Sequence, residues 1–233
     1  MTLAEIASPP RVSLVQGSPE WERLRKRALD SLYFFNGTVL GFSTFFPLHE
    51  ETHYLLHRFL ERKTGIPAID IAPIQKIEAP RGSGKSICGT IGHAIQMACR
   101  DPNIAILIAN EKEETAIGFL ASIKYHFESN EFLRALFPEI IPRDFNQTTW
   151  SATKATLART TGRPEPTFQV IGVGGSVVGT HPDVILCDDP IAREAMENAR
   201  AGSWPTVSST GLGSGPMIVV SGQTFLSQTT YGR

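Results

Sequence analysis

The chain has 233 residues, 41% of them apolar, and a formal net charge of −1. That length holds one large α/β domain with at most a small appendage. The near-neutral balance excludes a surface coated in basic charge, so any nucleic-acid contact must be local or shared between subunits.

Residues 1–20 are rich in Pro, Ser and Thr and read as an arm. Pro19-Glu20-Trp21 suits a first helical turn. From Phe34-Phe35 to Phe45-Phe46 the chain is strongly apolar and broken by Gly37 and Gly41, which predicts a segment packed against the main domain. Pro47 to Lys63 reads as a second helix. His49, His53 and His57 fall at i, i+4 and i+8, on one face of it. That spacing can bind metal, but no Cys ligand accompanies it, and ordinary packing is the alternative. Residues 1–65 are therefore expected to form an N-terminal arm and helical lid, with the core in 66–233.

Ile69 to Ala79 is apolar and β-prone, and Lys85 to Cys99 has helical spacing. Ile104 to Ala109 is wholly apolar, as expected of a strand covered on both faces. Glu111 to Ser129 is helical, with a further helical piece from Glu131 to Phe137. Thr167 to Val173, Asp183 to Cys187 and Pro216 to Ser221 read as strands. The alternation predicts an α/β fold: a mainly parallel sheet flanked by helices. Cys88, Cys99 and Cys187 form no CxxC pair and read as free thiols in a reducing compartment. No leader pattern opens the chain, and no apolar run reaches bilayer-spanning length, so a cytoplasmic protein is expected.

The sharpest chemical signal is Ala79-Pro80-Arg81-Gly82-Ser83-Gly84-Lys85-Ser86, placed between a predicted strand and a predicted helix. It matches the last three positions of G-x-x-x-x-G-K-[ST], with Ala79 in place of the first Gly. Small residues let backbone N–H groups wrap phosphates at a helix N-terminus. Lys85 would reach the β- and γ-phosphates of ATP, and the Ser86 hydroxyl would ligate Mg²⁺. A Gly-rich loop with a surface lysine is the bland alternative.

The second signal is Asp183-Val184-Ile185-Leu186-Cys187-Asp188-Asp189, an apolar run ending in two carboxylates. It has the Walker B form, a core strand that delivers an acid to a magnesium site. Asp188 would hold Mg²⁺ and Asp189 would orient the attacking water. The alternative is a strand running into an Asp-Asp-Pro turn. Val219-Val220-Ser221-Gly222-Gln223-Thr224 fits a γ-phosphate sensor, and fits a strand entering a polar turn equally well. Gly172-Val173-Gly174-Gly175 fails as G-x-G-x-x-G, because Val177 stands where Gly is required.

On these residues the chain resembles the ATPase domain of the large terminase subunit, the DNA-packaging motor of tailed bacteriophages. The resemblance runs from about Gly37 onward. It rests on Ala79 to Ser86 with Arg81 inside the loop, and on Gly179-Thr180-His181-Pro182-Asp183 through Pro190. Thr38 to Phe42, followed by His53 and His57, is similar but weaker. The resemblance implies an ASCE/RecA-like P-loop NTPase fold, with ATP and Mg²⁺ as cofactors. It places nucleotide contacts at Pro80, Arg81, Gly82, Ser83, Gly84, Lys85 and Ser86. Gln75 would read adenine, and Ser221, Gly222, Gln223 and Thr224 would couple hydrolysis to motion. The family's coupling motif is commonly Gly-Thr, so either Gln223 or Thr224 takes that role here.

Arg81 would act in cis, or else pair structurally with a nearby acid. A neighbouring subunit would supply a second arginine from among Arg143, Arg159 and Arg163. Arg159 is favoured, since Leu157-Ala158-Arg159 ends an apolar-leaning segment that can hold it rigidly. The implied partners are double-stranded DNA, the portal protein, the small terminase subunit and further copies in a ring, a pentamer, in the host cytoplasm. Large terminases also carry a nuclease domain built on clustered acids. After Pro190 only Glu194 and Glu197 are acidic, so nuclease activity is not expected of this chain. Two alternatives remain: a helicase-like P-loop ATPase, which ordinarily needs two such domains, and a nucleotide-switched assembly module.

Overall fold

The computed structural model describes residues 14–42, 50–72, 74–79, 82–172, 181–189 and 217–221. Its centre is a six-stranded sheet. In chain order the strands are β1 (Ile74–Glu78), β2 (Ile106–Asn110), β3 (Lys154–Ala155), β4 (Phe168–Gly172), β5 (Val184–Asp188) and β6 (Met217–Ser221). In space they lie in the order β1-β6-β5-β2-β4-β3. All neighbours pair in parallel except β3, which runs antiparallel to β4 at the edge.

Register then decides what meets at the C-terminal edge of the sheet. Glu78 pairs with Ser221, Asp188 with both Val220 and Asn110, and Asn110 with Gly172. The strand after β1 in sequence is found beyond β6 and β5 in space. The crevice at such a reversal, outside the carboxyl ends of parallel strands, is where open α/β sheets bind ligands. Every residue of β2 is buried, as its unbroken Ile-Leu-Ile-Ala run requires of a strand covered on both faces.

The helices are α1 (Pro19–Asp30), α2 (Leu32–Phe34), α3 (Glu50–Leu60), α4 (Pro67–Asp70), α5 (His93–Arg100), α6 (Glu113–Ser129) and α7 (Glu131–Leu136). Two segments are π-helical: Phe35–Val39, continuing α2, and Ser86–Gly92, leading into α5. Such wide turns are rare and cluster at functional sites. No helix among the described residues is long and apolar enough to cross a membrane.

The N-terminal helices are not a separable arm. Ser18 caps α1, its hydroxyl accepting from the Trp21 amide at 3.2 Å, and Pro19 fills the first helical position. Glu20 and Glu22 complement the positive helix end. Trp21 Nε1 then donates to the Ala135 carbonyl at 2.8 Å, and the Arg25 guanidinium lies over both Trp21 and Phe137. Gln96 Nε2 of α5 donates to the Ala28 carbonyl at 2.8 Å. Trp21, Ala28, Leu32 and Phe35 share one apolar cluster with Ile106, Ile108 and Leu186 of the sheet. The packing thus crosses the division expected at residue 65.

Two other details depart from the sequence reading. The strand expected from Ile69 begins at Ile74, because Pro67 starts a helical turn instead. Asp70 closes that turn by accepting from the Thr64 amide and hydroxyl and from the Gly65 amide. Strand β3 is only two residues long, too short to leave a periodic signal. The third strand of the sequence reading is β4.

The shared core predicts that Trp21→Ala destabilises the whole fold by about 3–5 kcal/mol. Urea unfolding should show a single transition shifted to lower denaturant. An unchanged midpoint would make α1 a dispensable arm.

Candidate active site

Strand β1 ends at Glu78, and the chain must turn sharply to enter the helix that begins at Lys85. Gly82 and Gly84 make that turn with φ of +78° and +74°. Only glycine adopts this conformation without strain. Between them, the Ser83 hydroxyl oxygen is buried and meets no hydrogen-bond partner among the described residues. Lys85 is 7% exposed, unusual for a lysine with no carboxylate bonded to it in the described structure. Pro80 and Arg81 lie outside the described residues.

Asp188 arrives from the other side. It ends β5 and is 1% exposed. Thr90 Oγ1 donates to Asp188 Oδ2 at 2.7 Å, and the Ser86 hydroxyl lies near enough to lower the pKa of this carboxylate. Burial raises the pKa of Asp188, as does the neighbouring Asp189 carboxylate. The Thr90 bond, the Ser86 hydroxyl and the Lys85 charge oppose that rise. Ser86 and Thr90 stand four residues apart, so both face the acid from one side of the helix.

The backbone around the acid is fixed from β2. Asn110 Nδ2 donates to the Asp188 carbonyl at 2.6 Å, while Asn110 Oδ1 accepts from the Lys112 amide at 2.9 Å. Asp189 has φ +41°, left-handed, a conformation that Asp tolerates better than most residues. Strained backbone of this kind persists where the surroundings over-determine it, often at functional positions. The structure therefore brings Gly82, Ser83, Gly84, Lys85, Ser86, Asp188 and Asp189 to one edge of the sheet. Ser221 joins that edge by its pairing with Glu78. Gly222, Gln223 and Thr224 lie outside the described residues.

Two further candidate residues lie away from this edge. Gln75 lies within β1, 1% exposed, and its side-chain amide donates to the Phe59 carbonyl at 2.8 Å. It ties α3 to the sheet. Arg159 stands at the opposite edge, beside Thr167 at the start of β4. Its guanidinium donates to Thr167 Oγ1 at 3.1 Å and to the Arg163 and Glu165 carbonyls. Burial lowers its pKa. Arg163 is likewise held by Asp183 and Glu165, and Arg143 is exposed. Arg159 and Arg163 hold their own loops rather than reach outward.

His49 lies outside the described residues, and among the described residues no group of three or more His, Cys, Asp or Glu could hold a metal ion. His53 and His57 are buried instead, against Asn36 and Tyr33. Burial lifts Cys88 to about 12, Cys187 to about 11, and Cys99 well above the ordinary thiol value. All three stay protonated near neutrality, so none is a ready nucleophile. Gly172 is explained by packing, since a Cβ there would stand 3.0 Å from the Glu113 amide nitrogen.

Thr90 and Asn110 were missed from the sequence. Both had a signal: Thr90 lies one turn beyond Ser86, and Asn110 is the polar residue that ends a buried apolar strand. Chemically, this edge offers backbone donors at a helix start, a buried ammonium, two hydroxyls and a buried carboxylate. Such a set suits an anion accompanied by a hard, oxygen-ligated cation. The orphaned Ser83 hydroxyl fits the same need, because an anionic oxygen at the loop would satisfy it. Comparison with protein-family models finds no match, and a search of curated proteins likewise finds none.

Thr90→Val should remove one bond to a buried carboxylate while keeping side-chain volume. A loss of about 1–3 kcal/mol in chemical denaturation is expected, with Thr90→Ser recovering part of it. An unchanged midpoint would show that Asp188 does not depend on Thr90.

Three buried histidines set a pH dependence. His57 is lowered from 6.5 to about 4, His93 to about 3 and His126 to about 4, each chiefly by burial. The folded state therefore refuses protons that the unfolded chain accepts. Their stabilisation is complete above about 6.5 and is lost as pH falls toward 4, by up to about 1.4 kcal/mol per pH unit per histidine. Melting temperatures across that window should fall less steeply for His126→Gln than for the parent chain. Parallel curves would refute the assignment for His126.

Proposed function

We propose that this chain is a magnesium-dependent ATPase of the P-loop class, serving as the motor domain of a viral DNA-packaging machine. One observation carries the ATPase reading. The buried Asp188 carboxylate accepts from Thr90, and Ser86 and Lys85 lower its pKa, all three on the helix that springs from the Gly82–Lys85 loop. A structural acid would be exposed or paired with a surface base. This acid is enclosed with a serine, a threonine and a lysine at the mouth of a glycine turn.

The roles follow from the chemistry of each group. Loop N–H groups and the helix N-terminus would hold the phosphates, and Lys85 would add charge-assisted bonds to the transferring group. Ser86 and Asp188 would hold Mg²⁺, which, when bound, offsets charge on the phosphate oxygens. Asp189 would orient a water and accept its proton. The water oxygen bonds to the γ-phosphorus as the bond to the ADP oxygen breaks. Arg81 would meet the developing charge in cis.

The packaging role rests on the resemblance of Ala79 to Ser86 and Gly179 to Pro190 to large terminases. With a net charge of −1, double-stranded DNA would be gripped locally, in a ring of copies docked on a portal. Stimulation of turnover by duplex DNA that fades with added salt is the expected signature. ATP-dependent assembly with negligible turnover would favour a nucleotide switch instead.

Lys85→Ala should abolish ATP hydrolysis and leave the fold intact. Asp188→Asn should weaken binding of ATP in the presence of Mg²⁺. Asp189→Asn should bind ATP normally and slow the chemical step about a hundredfold or more. Phosphate-release assays, paired with binding titrations, separate the three outcomes. Parental rates in Lys85→Ala would sink the site assignment.

A further inference from the structure

The histidine face of α3 and the two π segments converge on the proposed phosphate loop. His57 Nδ1 pairs with the His53 carbonyl, and a nitrogen facing a carbonyl must be the donor. Nε2 of His57 is therefore an acceptor, and Asn36 Nδ2 donates to it at 2.9 Å. The same amide nitrogen approaches the Cys88 carbonyl at 3.4 Å. Burial holds His57 near 4, so this neutral tautomer persists at neutral pH.

Asn36 also shapes the π segment by contact. A Cβ on Gly92 would stand 1.9 Å from Asn36 Oδ1, so only glycine fits there without displacing the amide. At the other end, His53 Cε1 lies 3.4 Å from where a Cβ on Gly84 would stand. Asn36 thus grips the segment at Cys88 and Gly92, and His53 abuts the glycine before Lys85. Between those grips lie Lys85, Ser86 and Thr90.

We propose that Asn36, acting with His57 and His53, is a positioning residue for the phosphate loop, which makes α2, its π turn and α3 part of the nucleotide site. The inference rests on the ATPase reading above. Its test is equilibrium binding of a fluorescent ATP analogue with Mg²⁺, with thermal melts to establish that each variant is folded. Asn36→Ala should weaken binding about tenfold or more. Gly92→Ala should act in the same direction by pushing the amide aside. The double variant should be no weaker than Asn36→Ala, because the collision is gone.

A merely structural Asn36 would lower the melting temperature and leave the affinity of folded protein unchanged, which overturns the inference while the parent chain still binds. A parent chain that binds no nucleotide overturns the ATPase reading and this inference with it. Should Asn36→Ala not fold, the imidazole nitrogen shifts of His53 and His57 in the parent chain decide. A change on adding nucleotide supports the relay, and its absence overturns it.

Discussion

The buried carboxylate of Asp188 is the constraint on which the rest of the structure turns. Removing a carboxylate from water is unfavourable by several kcal/mol unless nearby groups compensate. Here the compensation is Thr90, Ser86 and the Lys85 charge. All three belong to one helix start, so the acid is tolerable only if that helix has the right register. The register in turn depends on the π segment at Ser86–Gly92, which is packed against Asn36. A requirement that begins at the end of β5 therefore reaches the N-terminal helices, far away in sequence.

The two edges of the sheet divide polar residues by task. At the N-terminal edge, Asp183 Oδ2 accepts from the Ala105 amide at 2.8 Å and also pairs with Arg163. Asn103 engages Thr160 and Thr161, and Arg159 engages Thr167. These bonds complete each other and fix where β2, β4 and β5 begin. At the C-terminal edge the polar groups are enclosed but incompletely matched, as Ser83 shows. An arginine at the first edge is a strut. Only one at the second can serve chemistry at the loop of its own chain.

That division explains what the sequence made legible. Unbroken apolar runs marked β2 and β5, the latter ending in acid, and the helix from Glu113 and the turn at Gly82–Lys85 were equally plain. These are local signals: period, length, and residues with unusual backbone freedom. The positions of Arg159 and Gln75 were not legible, for the opposite reason. Their types suit a nucleotide site, but the edge or depth at which each lies is a property of pairing register, which one strand does not encode. The Asn36–His57 relay was half visible. The helical spacing of His53 and His57 put both on one face, yet their partner comes from a π turn that no simple periodicity reveals.

Several departures from local rules meet at one place: left-handed Gly82, Gly84 and Asp189, the π turn at Ser86–Gly92 and the orphaned Ser83 hydroxyl fall on the loop-and-acid edge, while left-handed Arg62 lies elsewhere. A fold shaped by stability alone would place a well-packed apolar residue at position 188 and a regular α-turn after Lys85. Natural sequences break such rules mainly where function requires it, with compensation elsewhere. Here the compensation is visible in the Trp21–Ala135 bond, the Gln96–Ala28 bond and the shared core of the N-terminal helices. Those contacts hold the flank of the helix whose first turn is strained. They give the N-terminal segment a reason to be packed into the domain instead of hanging from it, because a loose flank would leave the π turn free to relax and the carboxylate without its partners.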